Sequence, residues 1–449
     1  MQKGEKPNGA RAVALAVLLR CEKQGAWLDG ALKSEIRSNA LSSRDAALCS
    51  KICYGVCQNR MLLTFWLAHF SKVKPEKLEP AVRIAILMAM YQIRMLDKIP
   101  ERAAVNESVE LARHSSRNPR SPALVNGILR SFCRQAGQLP QPETRSVRYS
   151  HPQWLVTLLE RELHHHGVEE LLVCNNSEPP TTIQTNTLLL QPGALKAELE
   201  EQGVTAEAHP WLDGCFTIRG TGDLEQLESF RSGHFLVQDA ASKLAVLAAA
   251  PQPGMQVLDA CAAPGGKSFS AGMQMDNRGR ILSCDIHAGK VRQIRTGAKR
   301  LRLNCVDAET ANAKEYRPDL VGGFDLVLCD VPCYGLGIIR KKPDIRWKEP
   351  EPLTGLPAVQ QDILNNVSAY VKEGGALLYS TCTVLKRENE AVVRHFLEGH
   401  PEFVLEEFGL MCRQQICLTL MCLHFVAASL LLWSRSLTGM GSRSWKTSL

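Results

Sequence analysis

The sequence predicts a multidomain protein with an all-α front domain, a small α+β module and a larger α/β domain with a parallel sheet. Apolar residues recur at helical spacing in residues 9–135. Short strand-like and helical segments alternate in residues 151–235, and longer apolar runs alternate with helices in residues 236–408. Such alternation implies a parallel sheet joined by right-handed crossovers.

The amino-acid composition is that of an ordinary globular protein. The chain has 449 residues, enough for several domains that each have their own core. The first residues lack the apolar core of a secretory signal, so we expect a cytoplasmic, reducing location and mostly free thiols among the 16 cysteines. Residues 1–150 carry 24 Lys and Arg against 12 Asp and Glu, a net charge of +12, and the remaining residues sum to −5. This asymmetry suits a front domain that binds a polyanion, although a solvated helical surface would have the same charge.

Three cysteines of the front domain are predicted to be structural. Cys49, Cys53 and Cys57 recur every four residues. On a helix their thiols spread over roughly 12 Å, too far to share one metal ion. We therefore expect a buried helix face and no metal site.

A linker and a small module follow the front domain. Residues 136–150 contain two prolines and few apolar residues, which is typical of a linker. In the module, TTIQTNT and CFTIRG are predicted strands. GALKAELEEQG and DLEQLESFRSG are predicted helices that end at Gly203 and Gly233.

The α/β domain is predicted to gather its chemistry at one edge of the sheet. Its apolar runs QVLDAC, RILSCD, NCVDA, FDLVLCD and GALLYSTC mostly end in an acidic or thiol side chain. Ligands of parallel sheets bind beyond the carboxyl ends of the strands. The residues expected to meet there are Asp259, Cys261, Asp285, Asp307, Asp330 and Cys382.

The loop in LDACAAPGGKS ends like a phosphate-binding loop. That motif requires a glycine where Cys261 stands, and Pro264 has no N–H to offer a phosphate oxygen. Asp285 ends the second apolar run, where nucleotide-binding sheets place a carboxylate that accepts from the ribose hydroxyls. The loop therefore favours a nucleoside without a polyphosphate, such as S-adenosylmethionine.

Two thiols argue against nucleotide hydrolysis as well. FDLVLCD resembles the magnesium-binding strand of nucleotide hydrolases, but it is followed by VPCYGLG, and another run ends in STC. Thiols are poor phosphate ligands and, as thiolates, good nucleophiles. Cys333 and Cys382 are therefore predicted to be nucleophiles, although either cysteine alone would more simply be a small buried side chain.

Four stretches resemble the signature motifs of the RNA (cytosine-5)-methyltransferases: CAAPGGKS, DVPC, GIIRKKPDIRW and YSTCTVLKRENE. The domain order resembles the Sun/Fmu family of that superfamily, whose front domain resembles the helical RNA-binding domain of transcription antitermination factors. The resemblance covers residues 9 to about 405. It implies a Rossmann-like domain that uses S-adenosyl-L-methionine to methylate carbon 5 of a cytosine in small-subunit (16S) ribosomal RNA.

The resemblance also implies the catalytic roles. Cys382 would attack carbon 6 of the cytosine, which makes carbon 5 nucleophilic enough to take a methyl group. Cys333 would assist release of the methylated base, and Asp330 would contact the base. The expected partner is ribosomal RNA, bound by a monomer that needs no metal and no membrane.

The implied cofactor site consists of the loop and strand-end carboxylates. Its residues are Cys261, Ala262, Ala263, Pro264, Gly265, Gly266, Lys267, Asp285, Asp307 and Asp330. Asp285 would bind the ribose and Asp307 would lie near the adenine. Lys267 would order the loop or a carboxylate rather than hold a phosphate.

A basic stretch is a candidate for the RNA backbone, although a solvated loop would have the same composition. Its cations are Arg340, Lys341, Lys342 and Arg346.

Three positions near the implied site depart from the family pattern. Val331 and Tyr334 flank Cys333 where the family usually has a smaller residue and a serine. Gln184 stands where the small module commonly has arginine.

The tail, residues 409–449, departs further, because it does not match the strand hairpin with which the family closes its sheet. Ile416 to Trp433 is long enough to span a membrane. We favour either a helix packed on the open sheet edge or a disordered tail. The alternative to an active enzyme is therefore an RNA-binding, antitermination-like factor with an impaired catalytic half.

Overall fold

The computed structural model describes residues 9–348, 355–406 and 430–435. Over these residues the chain forms two compact units. The first takes in the described residues up to Glu178 together with Ile339–Lys348, and the second takes in the remainder.

The regular structure of the first unit is helical wherever it is described. Its α-helices are α1 (Ala10–Gln24), α2 (Leu28–Ser38), α3 (Ser43–Gln58), α4 (Arg60–Phe70), α5 (Pro80–Met95), α6 (Glu101–Ser115), α7 (Ser121–Arg134), α8 (Arg145–Arg148), α9 (Gln153–Glu162) and α10 (Val168–Asn175). The helical prediction for residues 9–135 is confirmed. Helix α5 supplies the centre of the core, with Ile86, Met88 and Met90 wholly buried. Burial of each such side chain contributes roughly 1.5–3 kcal/mol.

Helix α3 buries its cysteine-bearing face, as the sequence predicts. Ser42 caps it by accepting a hydrogen bond from the backbone N–H of Asp45. Cys49, Cys53 and Cys57 lie on its buried face, and burial raises the pKa of Cys57 to about 12. Across the described part of the chain, no cluster of His, Cys, Asp and Glu side chains could hold a metal ion.

Residues 136–150, predicted as a linker, pack on the helices of the first unit. The hydroxyl of the buried Ser150 accepts from the backbone N–H groups of Met61 and Leu62, at 2.9 and 3.0 Å. The indole of Trp66 donates to the carbonyl oxygen of Pro140 at 3.1 Å. The segment is therefore an ordered part of this unit.

Arg346 is an internal residue of the first unit. Its side chain is wholly buried, and Nη1 donates to the carbonyl oxygens of Gln58 (3.1 Å) and Ser150 (3.0 Å). It also binds Asn176 Oδ1 at 2.8 Å, and Nη2 donates to the carbonyl oxygen of Asn175 at 3.2 Å. Burial lowers the pKa of Arg346 to about 10. The prediction that Arg346 binds the RNA backbone is wrong, because its guanidinium has no access to solvent.

The other cations of the basic stretch differ from one another. Arg340 donates to the carbonyl oxygen of Glu178 at 2.6 Å. Lys342 is exposed and Lys341 is half-buried. The two lysines therefore remain predictions for RNA contact.

The second unit begins with a small antiparallel sheet in the order β2-β3-β1-β4. Its elements are β1 (Thr181–Thr185), α11 (Pro192–Glu201), β2 (Thr205–Ala208), β3 (Cys215–Arg219), α12 (Glu228–Arg231) and β4 (Phe235–Val237). TTIQTNT and CFTIRG are β1 and β3, as predicted. The sequence prediction missed β2 and β4, which are too short for a periodic signal. The helix predicted for DLEQLESFRSG is interrupted, because Leu224–Gln226 forms a separate 3-10 turn.

A seven-stranded sheet follows, in the order β10-β11-β9-β8-β5-β6-β7. Its elements are α13 (Ala240–Ala249), β5 (Gln256–Asp259), α14 (Gly266–Gln274), β6 (Arg280–Asp285), α15 (Ala288–Arg300), β7 (Val306–Thr310), β8 (Phe324–Asp330), α16 (Leu356–Ser368), β9 (Val371–Ser380), α17 (Glu390–Gly399), β10 (Phe403–Glu406) and β11 (Leu430–Arg435). The five strands from β9 to β7 are parallel to one another. The predicted parallel sheet is therefore confirmed.

An antiparallel pair completes the sheet beside β9. β11 pairs with β9 on one side and with β10 on the other. The expectation of an open sheet edge is therefore wrong, since β11 supplies the missing hydrogen bonds. The helix expected for Ile416–Trp433 is wrong over residues 430–433, which are part of β11, and the rest of that run lies outside the described residues. No described helix is both long and apolar enough to cross a membrane.

Buried polar contacts join the small module to the larger sheet. Gln184 is buried, and its Oε1 accepts from the hydroxyl of Ser270 at 3.1 Å. Asn186 donates to the carbonyl oxygen of Leu301 at 3.0 Å. The departure at Gln184 is therefore a packing contact within this unit.

Candidate active site

The carboxyl ends of the parallel strands bring acidic, hydroxyl and thiol side chains to one edge of the sheet. β5 ends at Asp259, β6 at Asp285 and β8 at Asp330. Asp330 is the register partner of Ser380, the last residue of β9, and Cys382 follows two residues later.

Asp307 does not belong to this group. It is the second residue of β7 and pairs in register with Leu282, well before the end of β6. Its side chain is 61% exposed and forms an ion pair with Arg280 at 3.1 Å. The prediction that Asp307 ends its strand is wrong, because β7 continues to Thr310, the register partner of Asp285. The place of Asp307 near the adenine stays a prediction.

The loop between β5 and α14 has a backbone that requires glycine. Gly265 has a φ of +108°, which L side chains rarely adopt. A Cβ at this position would lie 2.4 Å from Cζ of Phe269. The loop and the ring therefore pack too closely for any other residue, and the carbonyl oxygen of Gly266 is held by Gln238 Nε2 at 2.9 Å.

An ion pair links this loop to the end of β8. Lys267 Nζ lies 2.5 Å from Oδ2 of Asp330, and the hydroxyl of Ser380 donates to Oδ1 at 2.7 Å. Burial acts to lower the pKa of Lys267, but the charge and hydrogen bond of Asp330 outweigh it and raise the pKa above its usual value. Lys267 is thus a charged group that orders a carboxylate, one of the two roles that the sequence allows for it.

The two predicted nucleophiles are in contact. Their sulfur atoms lie 3.1 Å apart, and the backbone N–H of Cys382 donates to Sγ of Cys333 at 3.2 Å. The hydrogen bond with Cys382, together with burial, raises the pKa of the Cys333 thiol well above the ordinary cysteine value. Either sulfur can be the donor in this contact, and the raised pKa of Cys333 favours the arrangement in which Cys333 carries the proton.

Asp259 lies beneath the loop in a chain of hydroxyl groups. Its Oδ2 accepts from Ser268 at 2.6 Å, and Ser283 donates to the Ser268 hydroxyl at 2.9 Å. Asp259 is wholly buried, and burial raises its pKa to about 6. Its Oδ1 has no hydrogen-bond partner among the described residues.

Asp285 is also almost fully buried. Its Oδ1 accepts from the backbone N–H of His287 at 2.9 Å, and Lys290 Nζ lies 4.0 Å from Oδ2. This carboxylate follows the second parallel strand, as predicted.

Sequence reasoning missed three serines of this site: Ser268 and Ser380 donate to carboxylates, and Ser283 donates to the hydroxyl of Ser268. Ser380 ends β9, Ser268 lies in the first turn of α14, and Ser283 lies inside β6. Position relative to a strand end was thus an available signal for Ser380 and Ser268 but not for Ser283.

Family comparisons give the same domain order. Residues 8–134 match the NusB family, and residues 151–225 match the ferredoxin-like domain of RsmF/B-like methyltransferases. Residues 246–421 match the family described as 16S rRNA methyltransferase RsmB/F.

Solved structures share the fold. The crystal structure of PH0851 superposes with a TM-score of 0.74 at 24% identity, covering 95% of this chain and 97% of that chain. The structure of NSun6 from Pyrococcus horikoshii with SFG has a TM-score of 0.55 at 18% identity, covering 63% of this chain and 98% of that one.

Curated relatives extend over most of the chain. The probable ribosomal RNA small subunit methyltransferase B of Bacillus subtilis is 34% identical over 406 residues, which cover 89% of this chain and 90% of that protein. The ribosomal RNA small subunit methyltransferase B of Erwinia tasmaniensis is 32% identical over 410 residues, which cover 90% and 94%. Since both identities exceed 30% across nearly the full length of each pair, and the domains follow one another in the same order, this chain belongs to the ribosomal RNA small subunit methyltransferase B family.

Proposed function

We propose that this protein uses S-adenosylmethionine to methylate carbon 5 of a cytosine in small-subunit (16S) ribosomal RNA, through a covalent adduct with Cys382. The observation that carries the proposal is the 3.1 Å contact between the sulfur atoms of Cys333 and Cys382. A base nitrogen or a ribose hydroxyl needs no thiol to accept a methyl group. A pair of thiols at the strand ends therefore supports a ring carbon as the acceptor.

Carbon 5 of cytosine is a weak nucleophile until another nucleophile adds to carbon 6. The Cys382 thiolate would form the sulfur–carbon bond to carbon 6, and the electrons of the 5,6 double bond would make carbon 5 nucleophilic. After carbon 5 has gained the methyl group, it must lose its proton. Transfer of that proton to solvent would re-form the double bond and expel the Cys382 thiolate, and Cys333 would assist by donating a hydrogen bond to the departing sulfur.

The hydrogen-bond polarity of the thiol pair supports this division of roles. Either sulfur can donate in the 3.1 Å contact, and the raised pKa of Cys333 favours the state in which Cys333 carries the proton and Cys382 accepts. The pKa of Lys267 is raised in part by the charge of Cys382, so the Lys267 ammonium lies near the Cys382 sulfur. A nearby cation stabilises a thiolate relative to a thiol.

Asp330 would orient the base. Both its oxygens are held, one by Lys267 and the other by Ser380. A carboxylate fixed in this way, with its side chain 35% exposed, can accept a hydrogen bond from the amino group or the protonated ring nitrogen of a cytosine.

The residues at the strand ends fit S-adenosylmethionine, which supplies an electrophilic methyl group on a positively charged sulfonium. Asp285 would bind the ribose hydroxyls, and the backbone of Cys261–Lys267 would line the cofactor. The absence of a Cβ at Gly265 keeps that loop close to α14, and the buried carboxylates of Asp259 and Asp285 suit a cationic ligand. Asp307 is left out of this set because it lies near the start of β7 and not at its carboxyl end.

The test is to incubate the protein with unmodified small-subunit RNA and methyl-labelled cofactor, and then to digest the RNA to nucleosides. We expect the label in 5-methylcytosine. Label in another nucleoside would contradict the proposed position, and absence of transfer with the cofactor demonstrably bound would contradict the proposed activity.

A catalytically impaired RNA-binding factor is the alternative. Its motivation is the basic helical front domain and the atypical tail, of which residues 430–435 pair with β9 as β11. RNA binding that persists without cofactor and without turnover would favour this alternative.

A further inference from the structure

A single short segment contacts both cysteine-bearing turns. Glu388 ends the 3-10 turn Lys386–Glu388, and Asn389 precedes α17. Both side chains are buried, with relative exposures of 0% and 2%. Neither residue was singled out by its sequence position.

Glu388 holds the turn that carries Cys333. Its Oε2 accepts from the backbone N–H of Tyr334 at 3.0 Å and from Nε2 of Gln360 at 2.8 Å. The same nitrogen of Gln360 donates to the carbonyl oxygen of Pro332 at 3.0 Å. The backbone groups on both sides of Cys333 are thus fixed by one buried carboxylate and one amide.

Asn389 holds the turn that carries Cys382 in the same manner. Its Oδ1 accepts from the hydroxyl of Thr381 at 2.6 Å, and its Nδ2 donates to the carbonyl oxygen of Thr383 at 3.1 Å. The residues on both sides of Cys382 are therefore fixed by one side chain.

We infer that Glu388 and Asn389 are positioning residues that set the separation of the two thiols. Because they are adjacent in sequence, one peptide unit fixes the two turns relative to each other. The backbone oxygen of Glu388 also accepts from the hydroxyl of Tyr379, which ties the segment to β9. Burying a carboxylate costs free energy because the group loses its hydration. Here the Glu388 carboxylate regains hydrogen bonds from the turn that carries Cys333 and from Gln360. For its activity readout the inference rests on the function proposed above.

Asn389→Ala is the principal test, with Asn366→Ala as a matched control. Asn366 also uses Nδ2 to join two backbone carbonyl oxygens of the second unit, those of Ala313 (2.7 Å) and Glu315 (3.1 Å), but it does not contact either cysteine turn. We expect both variants to lose thermal stability, and Asn389→Ala to lose more, because Asn389 is buried and Asn366 is half-buried. Only Asn389→Ala should lower kcat, by about 10²-fold, because a misplacement of about 1 Å costs that much, while the KM values stay near those of the wild type.

A second readout does not depend on methyl transfer. Diamide oxidises two adjacent thiols to a disulfide by accepting two hydrogen atoms, and mass spectrometry of peptides gives the rate of Cys333–Cys382 linkage. Asn389→Ala should slow this linkage, and Asn366→Ala should leave it at the wild-type rate. If wild-type protein transferred no methyl group, the proposed function would fail while this readout still tested the positioning role.

Two more conservative variants distinguish a positioning effect from a general failure to fold. Asn389→Asp keeps the acceptor for Thr381 but loses the donor to Thr383, and Glu388→Gln keeps an acceptor for Tyr334. Both should retain more activity and faster linkage than the corresponding alanine variants. Linkage at the wild-type rate in Asn389→Ala, or equal losses of kcat in Asn389→Ala and Asn366→Ala, would overturn the inference.

Discussion

The sulfur atoms of Cys333 and Cys382 lie 3.1 Å apart although 49 positions separate the residues in sequence. Their closeness follows from strand pairing, since Asp330 and Ser380 are register partners at the ends of β8 and β9. Each cysteine lies two or three residues beyond its strand. The parallel register therefore decides that the two thiols meet.

The two thiols should differ in their loss-of-function behaviour. Cys382→Ala is expected to abolish methyl transfer and to form no covalent RNA adduct, with cofactor binding nearly intact. Cys333→Ala should trap RNA on Cys382 as a complex that survives denaturing electrophoresis and disappears in the double variant. Trapping by Cys382→Ala instead would mean that the roles are reversed, and full activity in both single variants would mean that neither thiol is catalytic.

The ion pair between Lys267 and Asp330 should matter for turnover. Lys267→Met removes the cation that holds Asp330 and that lies near the thiol pair, so we expect kcat to fall by about 10²-fold. Lys372→Met is the matched control, because Lys372 binds Asp325 at 2.9 Å at the opposite end of β8. Steady-state kinetics of both variants at equal folded fraction provide the measurement. Equal losses in the two variants would contradict a local role for Lys267.

Asp259 should make stability depend on pH. Burial raises its pKa from the ordinary 3.8 to about 6, so the folded state holds this proton more tightly than the unfolded state does. Stability from this group is therefore fully present below pH 4 and is lost as the pH rises through about 6. The loss amounts to roughly 3 kcal/mol. Urea unfolding of wild type and Asp259→Asn at pH 4.5 and 7 measures it, and parallel pH dependences of the two proteins would contradict the prediction.

Substitution of Arg346 should lower the stability of the first unit, whereas substitution of Lys342 should affect only RNA binding. Arg346→Met leaves the buried carbonyl oxygens of Gln58, Ser150 and Asn175 without this donor, and we expect a loss of roughly 3 kcal/mol in the stability of the first unit. Lys342→Met should change stability by less than about 0.5 kcal/mol, since the side chain is exposed.

Salt titrations of RNA binding complete this comparison. If Lys342 contacts a phosphate, the slope of log affinity against log salt should fall by about 1 in Lys342→Met. Arg346→Met should keep the wild-type slope at temperatures where it is folded. A reduced slope in Arg346→Met, with an unchanged slope in Lys342→Met, would contradict both assignments.

Much of the fold could be predicted because its signals are local. Helical periodicity identified residues 9–135, and apolar runs identified the five parallel strands. β2 and β4 carry too few residues for such a signal, and β11 lies within an apolar run that helix and strand explain equally well. Whether this run becomes a helix or a strand depends on whether an unpaired strand, here β9, is available to pair with it.

The sequence by itself determined, for every predicted strand except β7, which side chains lie at or just beyond the strand end, because each strand is recognisable from its own residues and parallel strands present their carboxyl ends at one edge. It also determined the glycine turn before α14, since a positive φ is a local requirement. Only the tertiary structure decided which of these groups meet. Asp307 and Arg346 have the same local appearance as their functional neighbours, yet strand length places one with Arg280 and packing buries the other. The physical reason is that register, strand length and burial arise from contacts between segments far apart in sequence, which no local pattern contains.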